Sequence, residues 1–446
     1  MLRKLRFCVD KTMLQLEGTK CRFLVCLGLC VFICSAIYLK AKVSNSPTTQ
    51  YNSTLVHTVR CRPFPRACKE LLGGREGTEW ERGTCLTEAY LTAPNLNCSR
   101  VAGNLHFITS ALSSEEEEYP LAFIITIHKE LEMFVRLLRA VYAPQNVYCV
   151  HVDGKAPPWY KEAVERLAGC FPNVFLASTS ERVTYAGFSR LQADINCMRD
   201  LVKSPVPWRK VFNLCGQDFP IMSNLELVRY LQSKQWRDRN MTPGVKQPPA
   251  IRHRTERQYK EVDGSHTVPK GQGRKKGPPP HKLQIYFGTA YYALTRPFVD
   301  FVLQNKVAKD LLEWSKDTYS PDEHYWVTLN HLVDAPGNHV NGGWEGGIRA
   351  IKWSDQEGKS HPGCKGRYVR GICVYGLEDL QWIVNRRNMF ANKFAPSSFP
   401  EAVDCVEEWH RQKVLRQAEI PIKRAWRLTV ETREVAGRAN LTTGPS

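Results

Sequence analysis

Residues 121–152 read LAFIITIHKELEMFVRLLRAVYAPQNVYCVHV, and this stretch decides the class of fold. Two short apolar runs, at 121–127 and 147–152, have the length of buried strands and are too short for ordinary helices. Between them, over 129–143, apolar side chains recur at the spacing of an amphipathic helix. The residues with this spacing are Leu131, Phe134, Leu137, Leu138 and Val141. The stretch therefore predicts a strand–helix–strand unit with two parallel strands.

The same alternation of apolar runs and helical segments continues to residue 214. Helical spacing covers 159–170 and 188–202, and short apolar runs occupy 173–177 and 211–214. Strands that alternate with helices predict an α/β domain with a mixed, largely parallel central sheet. Ligands bind such sheets beyond the carboxyl ends of the strands. In this sequence those ends carry His128, Asp153 and the segment around Tyr185.

The segment 238–282 interrupts the alternation with Pro, Gly and basic residues, among them PKGQGRKKGPPPHK at 269–282. Between Lys246 and Lys282 it contains ten Lys and Arg residues against three acids. This composition predicts a long, partly mobile loop over the cleft. Strand character returns at 283–294, and helices are predicted at 297–304 and 307–316.

An uncharged apolar run of seventeen residues, FLVCLGLCVFICSAIYL, occupies 23–39. Its length is at the short end for a membrane-spanning helix and exceeds the usual apolar core of a signal peptide. Residues 1–22 carry a net charge of +4, and positive flanks stay in the cytosol. We therefore expect a cytosolic tail at 1–22, a signal anchor at 23–39 and a lumenal remainder, as in a type II membrane protein. The alternative is a signal peptide that is cleaved. A short anchor favours the thinner membranes of the secretory pathway and hints at the Golgi.

The cysteines divide at the predicted anchor. Five of the 16 lie in the tail and anchor, which leaves eleven in an oxidising lumen. None of the eleven forms a CxxC pair, so disulfides are favoured over zinc clusters. An odd number leaves at least one thiol unpaired or linked to another chain. Four sequons are candidate N-glycosylation sites: Asn52, Asn97, Asn240 and Asn440.

The composition excludes several classes of protein. With 43% apolar and 10% aromatic residues, the chain can bury a core and is not a disordered or collagen-like protein. The net charge of +18 suggests a nucleic-acid binder, but a lumenal location argues strongly against that partner. Residues 40–118 are expected to form a polar stem, followed by irregular structure that disulfides hold together.

The segment Ser320-Pro321-Asp322-Glu323 supports two interpretations. Ser as N-cap, Pro at the first helical position and Glu at the third are a helix-start signature, in which Glu323 would only cap the helix. Alternatively, Glu323 faces the cleft as a general base, because a helix start can hold a carboxylate with the precision that proton transfer needs.

Candidate ligand-binding charges lie elsewhere along the chain. Asp153 follows a buried strand in HVDGK, where it either makes an ordinary turn or binds a nucleotide's base or ribose. No two Asp residues are two positions apart, so the metal-binding D-x-D motif of many sugar-nucleotide enzymes is missing from this sequence. A bound diphosphate would then need cationic side chains. Arg370 and Lys393 are candidates, although most Lys and Arg residues are simply solvated.

Several long strings resemble the core 2/I-branching β-1,6-N-acetylglucosaminyltransferases of glycosyltransferase family 14. They are RLLRAVYAPQNVYCVHVD (136–153), YAGFSRLQADINCM (185–198), NLCGQDFPI (213–221), DTYSPDEHYW (317–326), AIKWSDQEG (350–358), ICVYGLEDLQW (372–382) and FANKF (390–394). The similarity runs from about Cys68 to Cys405.

This resemblance implies a GT-A fold over 119–410, a basic tail at 411–446 and a type II anchor in the Golgi membrane. It also implies UDP-GlcNAc as donor and inverting transfer without a metal or other cofactor. The catalytic base would be Glu323, and Arg370 and Lys393 would neutralise the diphosphate. The other donor contacts would fall on Thr126, Ile127, His128, Asp153, Gly154, Lys155 and Tyr185. Oligomeric state is left open.

The family's cysteine pattern implies four disulfides and a free Cys215. The implied pairs are Cys68–Cys405, Cys98–Cys170, Cys149–Cys197 and Cys364–Cys373. Cys61 and Cys85 then remain, and we pair them on parity alone.

The acceptor site departs from the family pattern. The family's Glu before Pro-Pro is missing from the stretch TPGVKQPP at 242–249, and Asp355 stands where an aromatic partner of Trp353 is expected. A family Lys has no clear counterpart in the Gly-rich 341–347. Arg252 and Arg254 are candidates for the basic pair after Pro-Pro, but their spacing differs.

Three hypotheses follow from these residues. The first is an active β-1,6-N-acetylglucosaminyltransferase that acts on a galactose- or GalNAc-containing O-glycan or a related acceptor. The second is a xylosyltransferase-like activity, which the same family includes. The third is a Golgi protein that binds a UDP-sugar or glycan without catalysis, which the altered acceptor residues motivate.

Overall fold

The computed structural model describes residues 68, 91–93, 96–262 and 264–420. The predicted tail, anchor and most of the stem lie outside these residues, as do Cys61, Cys85, Asn52 and Asn440. Among the residues that are described, no helix combines the length and the apolar character that crossing a membrane requires.

Strands and helices alternate through the first half of the described chain. The strands are β1 (Leu121–Ile127), β2 (Val147–Val152), β3 (Val174–Leu176), β4 (Lys210–Cys215), β5 (Asp218–Pro220), β6 (Gly244–Lys246), β7 (Tyr259–Val262), β8 (His266–Pro269), β9 (Tyr286–Gly288), β10 (Ala293–Thr295), β11 (Arg349–Ala350), β12 (Arg367–Val369), β13 (Ile372–Val374) and β14 (Phe390–Asn392). The α-helices are α1 (Cys98–Asn104), α2 (Ser114–Glu117), α3 (Leu131–Val141), α4 (Pro158–Ala168), α5 (Phe188–Leu201), α6 (Asn224–Leu231), α7 (His253–Glu256), α8 (Arg296–Gln304), α9 (Lys306–Trp314), α10 (Tyr325–Asn330), α11 (Leu380–Val384) and α12 (Pro400–Gln417).

The central sheet has five strands in the order β10-β4-β1-β2-β3. The contacts of β1 with β2 and β4, and of β2 with β3, are parallel, and β10 is antiparallel to β4. The predicted mixed, largely parallel α/β fold is therefore confirmed. A second sheet has the order β11-β14-β5, and β12 and β13 form an antiparallel hairpin.

Both faces of the central sheet are covered. Along β1, Leu121, Phe123 and Ile125 belong to one apolar cluster, while Ala122 and Ile124 belong to a second. Successive strand side chains point to opposite faces, so this division shows apolar packing on both sides of the sheet. Burial on both faces explains why β1 and β2 appear in the sequence as uninterrupted apolar runs.

The segment 238–282 is more ordered than its composition predicts. It contains the short strand β6, helix α7 and the hairpin β7–β8. The hairpin is tied to the rest of the domain, because the Glu261 carboxylate accepts hydrogen bonds from the backbone N–H and the hydroxyl of Ser189, at 2.7 and 2.8 Å. The predicted long loop therefore contains regular elements, and its hairpin is held by contacts between residues 72 apart in sequence, which local composition does not reveal.

Four disulfides connect the described residues. They join Cys68 to Cys405, Cys98 to Cys170, Cys149 to Cys197 and Cys364 to Cys373, the four pairs that the resemblance implies. Cys215 is free, as the resemblance also implies.

Two sequons lie in the described residues. Asn97 is exposed at the start of α1. Asn240 is fully buried, and its amide nitrogen donates to Asn330 Oδ1 and to two backbone carbonyls. The prediction of a glycan on Asn240 is therefore wrong for the folded chain, because a glycan there would displace these buried bonds.

Buried ion pairs of Glu407, which form a clamp, join α12, the last helix of the described residues, to α3. Glu407 accepts from Arg139 Nη2 at 2.6 Å and from Arg136 Nη1 at 2.5 Å. Helix α12 continues to Gln417, and Val414, near its end, is buried. The predicted domain boundary at residue 410 therefore falls inside the helix.

We expect Glu407→Gln to reduce the free energy of unfolding by about 3 kcal/mol, because it removes the carboxylate that faces the buried Arg139 and one of the three carboxylates around Arg136. Urea denaturation of the full chain would measure this difference. Glu401→Gln, at an exposed position of the same helix, is the control and should be nearly neutral. Equal stability of the two variants would contradict a stabilising role for the clamp.

Candidate active site

Glu323 lies at the end of a short turn rather than at a capped helix start. Ser320 has a left-handed backbone (φ 46°), and its side chain makes no capping hydrogen bond. Residues Pro321–Glu323 form one 3₁₀ turn, and α10 begins only at Tyr325. The capping interpretation is therefore wrong, and the Glu323 carboxylate is available for another role.

The Glu323 carboxylate pairs with Arg254. Arg254 Nη1 lies 2.5 Å from Glu323 Oε2, and the two side chains keep 22% and 29% of their surface exposed. The guanidinium carbon of Arg254 lies 5.4 Å from the ring centroids of both Phe287 and Tyr319. Arg254, a candidate for acceptor binding, is thus held between two aromatic rings and directed at the candidate base.

Negative charge and desolvation make Glu323 a better base. Removal from water and the neighbouring Asp322 carboxylate raise the pKa of Glu323 to about 7, although Arg254 opposes the shift. A carboxylate with a pKa near neutrality is matched to proton transfer at physiological pH.

Helix α5 packs against the turn that carries Glu323. Arg190 Nη1 lies 2.6 Å from Asp194 Oδ1, and Asp194 Oδ2 also accepts from Asn213 Nδ2 at 2.9 Å and Tyr292 Oη at 3.1 Å. Burial raises the pKa of Asp322, while Arg190 acts in the opposite direction. The packing of α5 against the turn of Glu323 could not be recognised in the sequence, because Arg190 and Asp194, four residues apart, look like an ordinary helical ion pair.

The predicted donor edge consists of the loops that follow β1 and β2. The Asp153 N–H donates to Ile127 O at 2.9 Å, and Asp153 Oδ1 accepts from the Lys155 N–H at 2.8 Å. On the adjacent positions of β1 and β2, the Thr126 hydroxyl and His151 Nδ1 are buried and have no hydrogen-bond partner within the described part of the chain. Buried polar groups are normally paired, so a ligand with polar edges fits this place.

Lys155 and Gly154 position the donor edge. The Gly154 N–H donates to Glu181 O at 2.7 Å, and the Lys155 ammonium donates to the carbonyls of Val183 and Gly264. Lys155 thereby joins the loop before Tyr185 to the turn of the hairpin β7–β8. The same ammonium lies 3.6 Å from Asp153 Oδ2, so two backbone carbonyls and one carboxylate surround its charge. His128, which follows β1, is exposed.

The two predicted diphosphate cations meet at the tip of the hairpin β12–β13. Lys393 Nζ donates to Val369 O at 3.1 Å, next to Arg370. The guanidinium carbon of Arg370 lies 4.6 Å from the ring centroid of Tyr185. Burial lowers the pKa of Lys393, and the nearby Lys129 and Arg370 add to this effect. Such a cluster of cations favours an anionic ligand.

The turn that carries Arg370 is unusual. Register between Val369 and Ile372 leaves the two-residue loop Arg370–Gly371, and both have positive φ, at 54° and 76°. A type I′ turn of this kind strongly prefers Asn or Gly at its first position, so Arg370 occupies a conformation that its side chain does not favour. The disulfide Cys364–Cys373 anchors the base of the hairpin.

A backbone hydrogen bond joins the loop at Tyr185 to the turn of Glu323. The Ser320 N–H donates to Ala186 O at 2.8 Å, and Ala186 directly follows Tyr185. The structure therefore brings Tyr185, Arg370 and Lys393 together and connects them through the backbone to Glu323.

Two of the remaining predicted acceptor residues, Trp353 and Asp355, lie beside the hairpin. Trp353 forms an isolated bridge with Ile372 and is 41% exposed. The Ser354 N–H donates to Gly371 O at 2.8 Å, which places Asp355, also exposed, near Arg370. Arg252 is exposed, two residues before Arg254.

One group of potential metal ligands occurs among the described residues: Cys364, Cys373 and Asp379. The two sulfurs form a disulfide, so neither is a thiolate ligand. Asp379 instead accepts from the buried Lys352 ammonium, at 2.6 Å.

Comparison with known proteins identifies the class to which this fold and site belong. The profile of the core-2/I-branching enzyme family matches residues 121–384, and the chain belongs to that family. It is 51% identical over 427 residues to the human "Probable beta-1,3-galactosyl-O-glycosyl-glycoprotein beta-1,6-N-acetylglucosaminyltransferase 7", covering 93% of this chain and 97% of the relative. It is also 50% identical over 365 residues to human "N-acetyllactosaminide beta-1,6-N-acetylglucosaminyl-transferase", with 81% and 88% of the two chains covered. The human "Beta-1,3-galactosyl-O-glycosyl-glycoprotein beta-1,6-N-acetylglucosaminyltransferase 3" shares 42% over 347 residues, with 75% and 78% covered.

Proposed function

We propose that this protein is an inverting β-1,6-N-acetylglucosaminyltransferase. It transfers GlcNAc from UDP-GlcNAc to the C6 hydroxyl of galactose or GalNAc in an O-glycan or a related acceptor. One observation carries this proposal. The Glu323 carboxylate, whose pKa is raised, is connected through the backbone to the loop at Tyr185, beside which the cations Arg370 and Lys393 lie. Membership of the core-2/I-branching family and the printed names of the relatives support it.

The proposed mechanism is a single in-line displacement. The Glu323 carboxylate removes the proton from the acceptor C6 hydroxyl, and that oxygen attacks the anomeric carbon of GlcNAc. The bond from the anomeric carbon to UDP breaks on the opposite face, so an α-linked donor gives a β-linked product. Arg370 and Lys393 stabilise the negative charge that develops on the leaving diphosphate, a task that a metal ion performs in other enzymes.

The donor fits the edge formed by β1 and β2. Asp153 and the unpaired Thr126 hydroxyl provide polar groups for the nucleoside, and the ring of Tyr185 lies beside Arg370 at the diphosphate end. Because the proposed cations come from side chains, no metal is required at the diphosphate. A GT-A-type domain is the fold that this family membership favours.

The proposed location is the Golgi membrane, with the catalytic domain on the lumenal side. The apolar run at 23–39 and the positive tail before it support an uncleaved type II anchor. The four disulfides of the described residues suit an oxidising compartment.

An acceptor panel tests the function directly. Full-length protein in detergent would be incubated with UDP-GlcNAc, with the core 1 disaccharide Galβ1-3GalNAc and with a tetrasaccharide of two N-acetyllactosamine units, with and without EDTA. We expect β-1,6 transfer to at least one acceptor, unchanged by EDTA. UDP binding without transfer would favour a catalytically inactive binding protein, and loss of transfer in EDTA would refute the metal-independent mechanism. Xylosyl transfer from UDP-xylose is the remaining control, although the relatives' names do not favour it.

The pKa of Glu323 predicts the pH dependence of transfer. Only the deprotonated carboxylate accepts a proton, so kcat/KM should rise with pH through about 7 and then level off. Arg254→Gln removes the charge that stabilises this carboxylate, so the rise should move up by about 1–3 pH units. Arg254→Lys should move it less. Profiles of kcat/KM against pH for the three proteins would measure this, and an identical midpoint in all three would contradict the pairing.

A further inference from the structure

We propose that Trp344 forms a second acceptor subsite, on which an oligosaccharide stacks a sugar ring other than the ring that carries the reacting C6 hydroxyl. The inference rests on the proposed function, because it takes Glu323 as the group that receives the proton of that hydroxyl. It assigns a binding role to the Gly-rich segment 341–347, for which the sequence suggested none.

A short path of ring contacts leads from the candidate base to Trp344. Arg254, the partner of Glu323, lies 5.4 Å from the centroid of Phe287. The Phe287 ring lies 6.4 Å from that of Trp344, edge to face at 76°. Phe287 also lies 5.6 Å from the ring of His324, the residue after Glu323. Trp344 is therefore within reach of a short oligosaccharide whose reacting hydroxyl lies at Glu323.

Trp344 is more exposed than Trp159 (47%) and Trp353 (41%), the other exposed tryptophans of the described residues. The residue keeps 57% of its surface exposed, whereas Trp208, Trp236 and Trp326 are almost completely buried. Sugar rings present apolar C–H faces that match an aromatic face, and the indole N–H can bond a hydroxyl group at the same time. An exposed indole beside a polar cleft thus fits a saccharide better than it fits an apolar partner.

The segment that carries Trp344 is fixed before this residue by the bonds given next and after it by the Met389 N–H, which donates to Gly347 O at 2.9 Å. The Gly244 N–H of β6 donates to Gly343 O at 2.9 Å, and His331 Nε2 lies 3.2 Å from Gly342 O. The Glu345 carboxylate accepts from the Gly343 N–H. Because strand β6 pairs with β9, which carries Phe287, these bonds hold both rings on one support. A preorganised ring loses little conformational entropy when a sugar binds.

This position also answers the departures found in the sequence. The carboxylate before Pro-Pro is missing, and an exposed Asp355 stands where an aromatic side chain was expected. Apolar contact at Trp344 supplies a different means of holding the acceptor. The proposal therefore predicts a preference for acceptors that extend beyond the reacting sugar.

Kinetics of Trp344→Ala in the full-length protein test the subsite. With the di-N-acetyllactosamine tetrasaccharide or the core 1 disaccharide, we expect KM to rise about tenfold, the loss of roughly one aromatic contact, with kcat little changed. Methyl β-galactoside, which has no second ring, should show no such change. Trp344→Phe should keep most of the affinity, and Trp159→Ala removes an exposed indole (47%) from helix α4 as the matched control.

Direct binding separates this proposal from the proposed function. Saturation-transfer NMR of the same two saccharides, and calorimetry with UDP, would be recorded for the wild type, Trp344→Ala and Glu323→Gln. Saccharide binding that Trp344→Ala weakens, with unchanged UDP affinity, supports the subsite even if the wild type transfers no sugar. Wild-type protein that binds neither saccharide, or Trp344→Ala that binds and reacts like the wild type, would overturn the subsite while leaving the role of Glu323 to its own test.

Discussion

Glu323→Gln should fold normally and lose at least about two orders of magnitude in GlcNAc transfer, because general-base assistance contributes typically 10²–10⁴-fold. The amide keeps the shape of the side chain and removes only its ability to accept the proton. The Arg254 guanidinium can still donate to the amide oxygen, so the turn should persist. Single-turnover transfer, with UDP affinity from calorimetry, would separate this chemical loss from a loss of donor binding.

The matched control is Glu313→Gln on helix α9. This glutamate pairs with Lys316, its side chain is 71% exposed, and its replacement should leave transfer unchanged. Full turnover by Glu323→Gln would remove Glu323 from the mechanism. A parallel loss of UDP affinity would instead indicate a structural role for the turn.

Arg370→Gln should reduce kcat by about 10²–10³-fold, the usual effect of removing one group that stabilises transition-state charge. The substitution keeps a polar side chain, although a shorter one, and removes the positive charge beside the proposed diphosphate. Lys393→Met should have a similar effect, because the two cations act on the same developing charge. The double variant should lose less than the product of the two single losses, since both residues serve one group.

Arg367→Gln tests whether any cation of this hairpin has the same effect. Arg367 is exposed on β12, where its guanidinium donates to Ser398 Oγ at 2.9 Å. Initial rates at saturating acceptor, with and without added Mn²⁺, would compare the variants. An equal loss in Arg367→Gln, or a wild-type rate in Arg370→Gln without added metal, would contradict the proposed role of Arg370.

The local sequence pattern was sufficient to predict the parallel strands of the central sheet. The apolar runs of β1 and β2 predicted strands with the observed bounds, because burial on both faces removes any ambiguity of period. The helix at 188–202 was predicted within one residue of its observed end at Leu201. Patterns of this kind depend on neighbours within a few positions, which the sequence displays directly.

The candidate site was only partly predictable, because its contacts join residues that are far apart in the sequence. Glu323, Arg370 and Lys393 came from motifs, but the pairing of Glu323 with Arg254 joins residues 69 positions apart. The helix-start signature at Ser320 was misleading, because the bond from its N–H to Ala186 O belongs to a distant loop. Trp344 stood in a segment without a recognisable motif, and only its contact with Phe287 gave it significance.

The turn at Arg370 also implies that thermal stability and catalytic activity favour different residues at this position. Asn or Gly at this position would relieve a backbone conformation that costs of order 1–3 kcal/mol in other residues. The same replacement would remove a cation from the proposed diphosphate site. A search for variants that resist heat should therefore select Arg370→Asn or Arg370→Gly readily, and each such variant should be a poorer transferase. Heat resistance alone would be a misleading guide in engineering this protein, because at this residue the more robust molecule is the less active one.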